Sequence, residues 1–272
     1  MTTDERPVDP DQPVSEPEDQ AELQAETQSA DPPEESARKK RHLSVWQESL
    51  LLLAVAIVLA VAIKALFVQA FYIPSESMEP GLVKNDRILV QKMSYWFGGS
   101  PKRGDVVVFQ DPGGWLDAAE SAGPANPVAR AMARVGLYPQ GGHLVKRVVG
   151  VEGDVIECCD KQGRISVNGT PLNEDAYVNN PDSVSCRGPM PGDCDWTAGP
   201  VPDGHIFVMG DNRNRSADST VHLCQDDETD CSDNPFIPVD LVVGKVFVLL
   251  WPADHFSWVK RPATFADVAG AP

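Results

Sequence analysis

Residues 50–70 read LLLLAVAIVLAVAIKALFVQA, and residues 71–80 follow as FYIPSESMEP. The first stretch is apolar except for Lys64 and Gln69. About 20 such residues are needed to cross the hydrocarbon core of a bilayer, and Trp46 and Phe71-Tyr72 stand at the two ends, where interfacial aromatics are favoured. One membrane-spanning helix is expected, within an anchor over residues 45–71. The basic run Arg38-Lys39-Lys40-Arg41 comes just before it. By the positive-inside rule this run orients the N-terminus toward the cytoplasm and residues from about 72 onward outside. A cleavable leader has a short tail and a small-residue cleavage site. Here the tail is long and the exit Phe71-Tyr72-Ile73-Pro74 is bulky, so the anchor reads as permanent. The later apolar stretch Val242–Trp251 is too short for a second span.

Upstream of the anchor, residues 1–37 hold twelve Asp or Glu against the single basic residue Arg6, in a chain of net charge -17. That opening cannot bury enough apolar surface to offset its chain entropy, so residues 1–41 read as a disordered acidic cytoplasmic tail ending in the basic run. The acidic balance excludes nucleic acid as a partner, because no basic face is available to neutralise phosphates. All six cysteines fall after the anchor: Cys158, Cys159, Cys186, Cys194, Cys224 and Cys231. An even number outside the cytoplasm favours disulfides, with fifteen pairings possible. The short loops Cys186–Cys194 and Cys224–Cys231 are the easiest to close. A competing zinc site on His222, Cys224 and Cys231 matches no standard finger spacing.

Downstream, the chain reads as short strands broken by Gly, Pro and Asn. Expected strands are Arg87–Gln91, Asp105–Phe109, His143–Gly150, Asp154–Glu157, His205–Met209 and Gly244–Trp251. Asn168-Gly169, between Ile165-Ser166-Val167 and Thr170-Pro171-Leu172, marks a hairpin. Ala129–Val135 reads as a short helix. Residues 173–203, dense in Pro, Gly, Asp and Asn, read as a loop-rich, disulfide-pinned excursion. The fold class is mainly β: an antiparallel extracytoplasmic domain anchored by one N-terminal transmembrane helix. Trp96-Phe97, Trp251, Phe256 and Trp258 are expected in the core or at hairpin tips, with a lipid-facing patch as the lesser alternative. Asn168 and Asn214 head glycosylation sequons, but a turn explains the first better and a polar loop the second.

Ser77, just past the anchor, is a candidate nucleophile, and a serine hydroxyl needs a base to take its proton. His42 lies on the cytoplasmic side, and His143, His205, His222 and His255 fit no triad pattern. Gly-x-Ser-x-Gly is absent around Ser77. The other possible base is a lysine held neutral by burial. Lys146 lies within Leu144-Val145-Lys146-Arg147-Val148-Val149-Gly150, where alternation puts Leu144, Lys146 and Val148 on one face. If that face is the core, Lys146 is buried and Arg147 is free to face outward. A lysine on an exposed strand face is the plainer alternative, and spacing alone favours it. The run Gly210–Ser219 supplies hydroxyls and carboxylates able to orient a lysine amine.

Four boxes follow in order: Ile73-Pro74-Ser75-x-Ser77-Met78-x-Pro80, Arg103-Gly104-Asp105-Val106-Val107, Lys146-Arg147-Val148-Val149-Gly150, and Gly210-Asp211-Asn212-Arg213-x-x-Ser216-x-Asp218-Ser219. From about residue 45 to 252 the chain closely resembles the type I signal peptidases, or leader peptidases, which are membrane-bound Ser/Lys proteases. The resemblance implies Ser77 as nucleophile and Lys146 as general base. It implies an oxyanion site from the Ser77 backbone N–H and the Ser75 hydroxyl, Ser216 holding the lysine amine, and Asp218 supporting the loop. Phe71, Ile73, Pro74, Met78, Leu82, Leu144 and Val145 would wall two shallow pockets that admit small residues, the Ala-x-Ala pattern of exported precursors. It also implies a catalytic β core over 72–153 and 204–252, an accessory β and loop region over 154–203, and a C-terminal extension over 253–272. The expected partners are signal-peptide-bearing precursors, the lipid bilayer and a nearby export machinery, in the cell membrane. No metal or organic cofactor is expected. Gly81 stands where the family commonly has Thr, and Thr220 where an Arg often pairs with the Asp of the last box, leaving Arg213 or Arg215 as stand-ins. Two rival readings are a self-cleaving repressor, disfavoured by the anchor, and a membrane-tethered β-domain that binds exported proteins without cutting them.

Overall fold

The structure, a computed structural model, describes residues 44–96, 98–117, 123, 126–134, 141–179, 195–223 and 234–270. The acidic tail, the basic run, Phe97, Cys186, Cys194, Cys224 and Cys231 lie outside the described residues, and with them the two short disulfide loops and the zinc alternative. The chain divides into two units, Met1–Gln47 and Glu48–Pro272, and every strand belongs to the second.

Helix α1 spans Val45–Phe67, and its first nineteen residues, Val45–Ile63, are long and apolar enough to cross a membrane. The helix is shorter than the expected anchor. Val68–Tyr72 is a strand, β1, with Gln69 and Phe71 buried and their neighbours more exposed. This alternation suits a half-buried strand, and the backbone groups of β1 are taken by β2 (Arg87–Gln91), Phe71 lying opposite Ile88. Once those groups bond sideways they cannot continue the helical ladder.

The strands that follow are β3 (Val106–Gln110), β4 (His143–Val151), β5 (Ile156–Cys158), β6 (Ser166–Val167), β7 (Thr170–Pro171), β8 (Trp196–Ala198), β9 (His205–Met209), β10 (Phe236–Pro238), β11 (Val242–Trp251) and β12 (Ser257–Trp258), with helix α2 (Pro127–Arg134) between β3 and β4. They form an eight-stranded sheet ordered β1-β2-β11-β3-β4-β9-β10, with β12 also on β11, and a four-stranded sheet ordered β7-β6-β5-β8. The strand pairings are all antiparallel. The expected strands are present within a residue or two. Strand β8 falls inside the stretch read as irregular, and β10 and β12 are short additions.

β3 is covered on both faces. Val106 and Val108 pack with Phe71, Ile73, Met78, Leu82, Ile88 and Val90, while Val107 and Phe109 pack with Leu144, Val148, Ile206 and Val208. A third cluster, containing Val149, Phe207 and Met209 together with Ile156, Val167, Leu172 and Trp196, joins the two sheets. Both faces of β4 are therefore occupied, which leaves no solvent side for its charged residues. Arg147 does not face outward: it is 6% exposed.

The C-terminal stretch also belongs to the fold. Phe265 and Val268 enter the third cluster. Arg261 Nε donates to Asp105 at 2.5 Å, and the Asn173 N–H donates to Thr264 Oγ1 at 2.8 Å. Gly104, at φ +83°, makes room for Phe265, whose ring carbon would lie 2.8 Å from a Cβ there. That conformation and that contact both require glycine. Asn168 Nδ2 donates to Asp154 at 2.9 Å and to the Ala269 carbonyl at 3.2 Å, so its amide is engaged within the fold rather than free for sugar. Trp251, Phe256 and Trp258 flank the β11–β12 turn and are 57%, 51% and 61% exposed, which fits hairpin-tip residues and not core ones. Cys158 and Cys159 are joined to each other.

Candidate active site

Ser77 lies in the loop between β1 and β2. That loop is closed at its base by the Ile73 N–H donating to the Asp86 carbonyl and the Asn85 N–H to the Ile73 carbonyl, both at 2.9 Å. Asp86 is buried and accepts from the Val83 N–H at 2.7 Å. Met78 and Leu82 tuck into the apolar cluster beneath, and the Leu82 N–H reaches the Met78 carbonyl at 2.9 Å. These anchors leave Ser77 4% exposed, with Ser75 beside it and the two Oγ atoms 3.2 Å apart.

The run after β9 is pinned to the serine loop. The Asn212 N–H donates to the Ser77 carbonyl at 2.9 Å, and Asn212 Nδ2 donates to the Glu76 carbonyl at 3.1 Å. Gly210 fills the remaining gap: a Cβ there would lie 2.5 Å from both the Ser77 carbonyl oxygen and Ser216 Cβ. Only the absence of a side chain allows this approach. On the rim, the exposed Arg215 pairs with Glu76.

Lys146 enters from β4, opposite Val107 on β3. The next residue, Arg147, lies opposite Met209, and Gly210 follows Met209. Lys146 is 4% exposed and, among the described residues, has no carboxylate within ion-pair distance. Burial pulls its amine down from the ordinary 10.5 to about 8, against the opposing charges of Asp218 and Asp211. A lysine is almost never buried unless it is paired, so this one stands out chemically.

Its neighbours are fully tied. Arg147 donates through Nε and Nη2 to the two oxygens of Asp211, at 2.7 and 2.6 Å, and through Nη1 to the Gly104 carbonyl at 2.9 Å. Burial pushes the Asp211 carboxyl up and Arg147 pulls against it, while burial at Arg147 is offset by Asp211 together with Tyr177 and Glu174, which keep the guanidinium charged. Ser216 Oγ donates to Asp218 Oδ2 at 2.5 Å, and the Gly210 N–H reaches the same oxygen at 2.8 Å. The other Asp218 oxygen accepts from the Thr220 N–H at 3.1 Å and from Thr220 Oγ1 at 2.7 Å.

The Asp218 partners are thus Thr220, Gly210 and Ser216, and neither arginine stand-in. Arg213 donates to Glu174 at 2.6 Å and to the Gly210 carbonyl at 3.1 Å, and Arg215 goes to Glu76. Thr220 offers Asp218 two donors at short reach. Of the seven residues expected to wall the pockets, Phe71, Ile73, Met78 and Leu82 share one cluster, with Val145 packed against it. Leu144 lies in the cluster with Val107 and Val148, and Pro74 is exposed. Asn212, Thr220, Glu174 and Tyr177 were given no role by sequence reasoning. For Asn212 the signal was present, an amide in a run already marked as polar and turn-rich.

The chain matches known proteins over most of its length. The family model described as "Signal peptidase, peptidase S26" matches residues 46–251. The chain is 35% identical over 235 residues to "Signal peptidase I" of Mycobacterium tuberculosis, covering 80% of this chain and 76% of the relative. It is 36% identical over 241 residues to "Probable signal peptidase I" of Mycobacterium leprae, covering 81% of each, and 29% identical over 245 residues to "Signal peptidase I" of Leptolyngbya laminosa, covering 90% and 99%.

Proposed function

The chain belongs to the signal peptidase family S26, whose members are serine endopeptidases that remove signal peptides, and from that premise we propose that it cuts by a Ser77–Lys146 dyad through an acyl-enzyme. The observation that carries this reading is the burial of Lys146 without an ion-pair partner among the described residues. With its amine near 8, a useful fraction is neutral at physiological pH, as a general base requires. Lys146 Nζ takes the Ser77 Oγ proton as Oγ attacks the scissile carbonyl. The Ser77 N–H and the Ser75 hydroxyl stabilise the oxyanion. Lys146 then returns the proton to the departing amine of the mature protein, leaving the signal peptide esterified to Ser77. Water, deprotonated by Lys146, releases it. Ser216 donates its proton to Asp218, so its oxygen can accept from the lysine amine and orient it.

We assign the substrate walls to Phe71, Ile73, Pro74, Met78, Leu82, Leu144 and Val145, and the preferred site to small residues in an Ala-x-Ala pattern. Helix α1 serves as a single-pass anchor in the cell membrane, oriented N-terminus inward by Arg38–Arg41. The site then faces precursors emerging from the export machinery at the outer surface. The exposed aromatics of the β11–β12 turn favour contact with the lipid interface. Residues 72–153 and 204–252 act as the catalytic core, and 154–203 as its accessory region.

The test is cleavage of a precursor by the detergent-solubilised full chain, with Ala or Leu at the first and third positions before the cut. We expect mass spectrometry to find cutting after the last Ala and at least a hundredfold slower turnover with Leu. Equal turnover of the Leu precursor would rule out the small pockets.

A further inference from the structure

A single turn outside the four sequence boxes holds the loop that carries Ser216 and Asp218. In this turn the Tyr177 and Val178 N–H groups reach the Glu174 carbonyl at 3.0 and 2.9 Å. Glu174, Tyr177 and Asn179 each grip a different part of the site. Glu174 accepts from Arg213 Nη2 at 2.6 Å, and Arg213 in turn holds the Gly210 carbonyl. The Tyr177 ring covers the Arg147 guanidinium, 4.6 Å from its centroid, a cation–π arrangement that favours the charged, fixed arginine. The Tyr177 hydroxyl donates to the same Glu174 oxygen at 2.8 Å. The Asn179 N–H donates to the Asp211 carbonyl at 2.8 Å.

The grip converges on Gly210. Its N–H is held by Asp218 and its carbonyl by Arg213, and it sits against the Ser77 carbonyl and Ser216. The turn itself has a firm base. Leu172 is buried between the two sheets, and the Asn173 N–H bonds to Thr264 of the C-terminal stretch. Arg147 and Arg213 are buried cations whose fixed geometry depends on these partners. Without Glu174, Arg213 has no carboxylate within ion-pair distance among the described residues, and the Gly210 carbonyl loses a stationary donor.

We propose that Glu174 and Tyr177 are positioning residues for the reaction, acting through Arg213 and Arg147 to fix the Gly210–Ser219 loop against the serine loop. This rests on the dyad reading above. Neither residue touches substrate. Their effect is on the placement of Ser216 and, through it, of the Lys146 amine. A misplacement of about 1 Å at a reacting group can cost on the order of a hundredfold in rate, so loss of either grip should be visible in turnover while leaving substrate binding intact.

The experiment compares the full chain with Glu174→Gln, Tyr177→Leu and Tyr177→Phe, by precursor cleavage and by hydrogen exchange of peptides spanning 210–219. We expect Glu174→Gln and Tyr177→Leu to lower kcat about ten- to a hundredfold, with KM within about twofold. Exchange should quicken in 210–219 and not across β3 and β4. Tyr177→Phe keeps the ring over Arg147 and should retain kcat within a few-fold. Parental kcat and parental exchange in Glu174→Gln and Tyr177→Leu would overturn the proposal, as would Tyr177→Phe losing as much as Tyr177→Leu. A parent protein that cuts no precursor would sink the dyad reading, while the exchange data would still decide whether this turn holds the loop.

Discussion

Lys146 links stability and activity through one burial. Its amine sits near 8 instead of 10.5, so between those values the unfolded chain binds a proton that the folded chain does not, and stability rises with pH. Below about 8 both states are protonated and the folded state carries the full burden, roughly 3 kcal/mol at 1.36 kcal/mol per unit. Lys146→Met should therefore be more stable than the parent by about 2–4 kcal/mol at pH 7, with the advantage shrinking as pH rises from 8 toward 10.5. Denaturant titration at pH 7 and pH 9.5 checks this. For the parent, turnover should rise with pH along a limb centred near 8, as the lysine loses its proton. Thr220→Val keeps the shape but removes a donor from a buried carboxylate, which should cost about 1.5–3 kcal/mol in thermal or denaturant unfolding and lower turnover as well. Lys146 was singled out by the resemblance of its box, since strand spacing alone favours an exposed lysine. The fate of Arg147 could not be read from the strand, because alternation assigns an outward face only where one side of the sheet meets water, and β4 is covered on both.

Among the elements, the turn after β9 matters most to the site. Gly210→Ala would drive a methyl into the Ser77 carbonyl and Ser216, so we expect about a hundredfold loss of kcat, measured on the purified variant. Asp211→Ala would leave Arg147 buried with its charge uncompensated, which typically destabilises by about 3–5 kcal/mol and would be seen as a lowered unfolding midpoint. The strands β2, β3, β4, β9 and β11 were legible because each is a run of β-branched or aromatic residues bounded by turn formers. Strand β1 was hidden because its residues continue an apolar stretch, and composition alone cannot tell where a helix hands over to a strand. The brace on residues 174–179 was hidden for a different reason: it is made of ordinary polar residues whose partners are 30 or more positions away.

At the scale of the whole molecule, the two sheets and the C-terminal stretch share one cluster, so the C-terminal stretch should contribute to stability. Phe265→Ala removes a buried ring from that cluster and should cost roughly 3–5 kcal/mol in unfolding, seen as a lowered denaturation midpoint. The four boxes could be marked in the sequence because each is local. The packing of residues 259–269 over Gly104 was not foreseeable, since it depends on long-range contacts with no local pattern. The central claim is that Ser77 attacks and Lys146 activates it. The most direct measurement is precursor cleavage and rapid-quench intact mass for the parent, Ser77→Ala and Lys146→Met, side by side. The account predicts a signal-peptide adduct mapping to Ser77 and a product cut after Ala in the parent, with neither in the two variants although both still bind precursor. Cleavage at parental rate by either variant would contradict it.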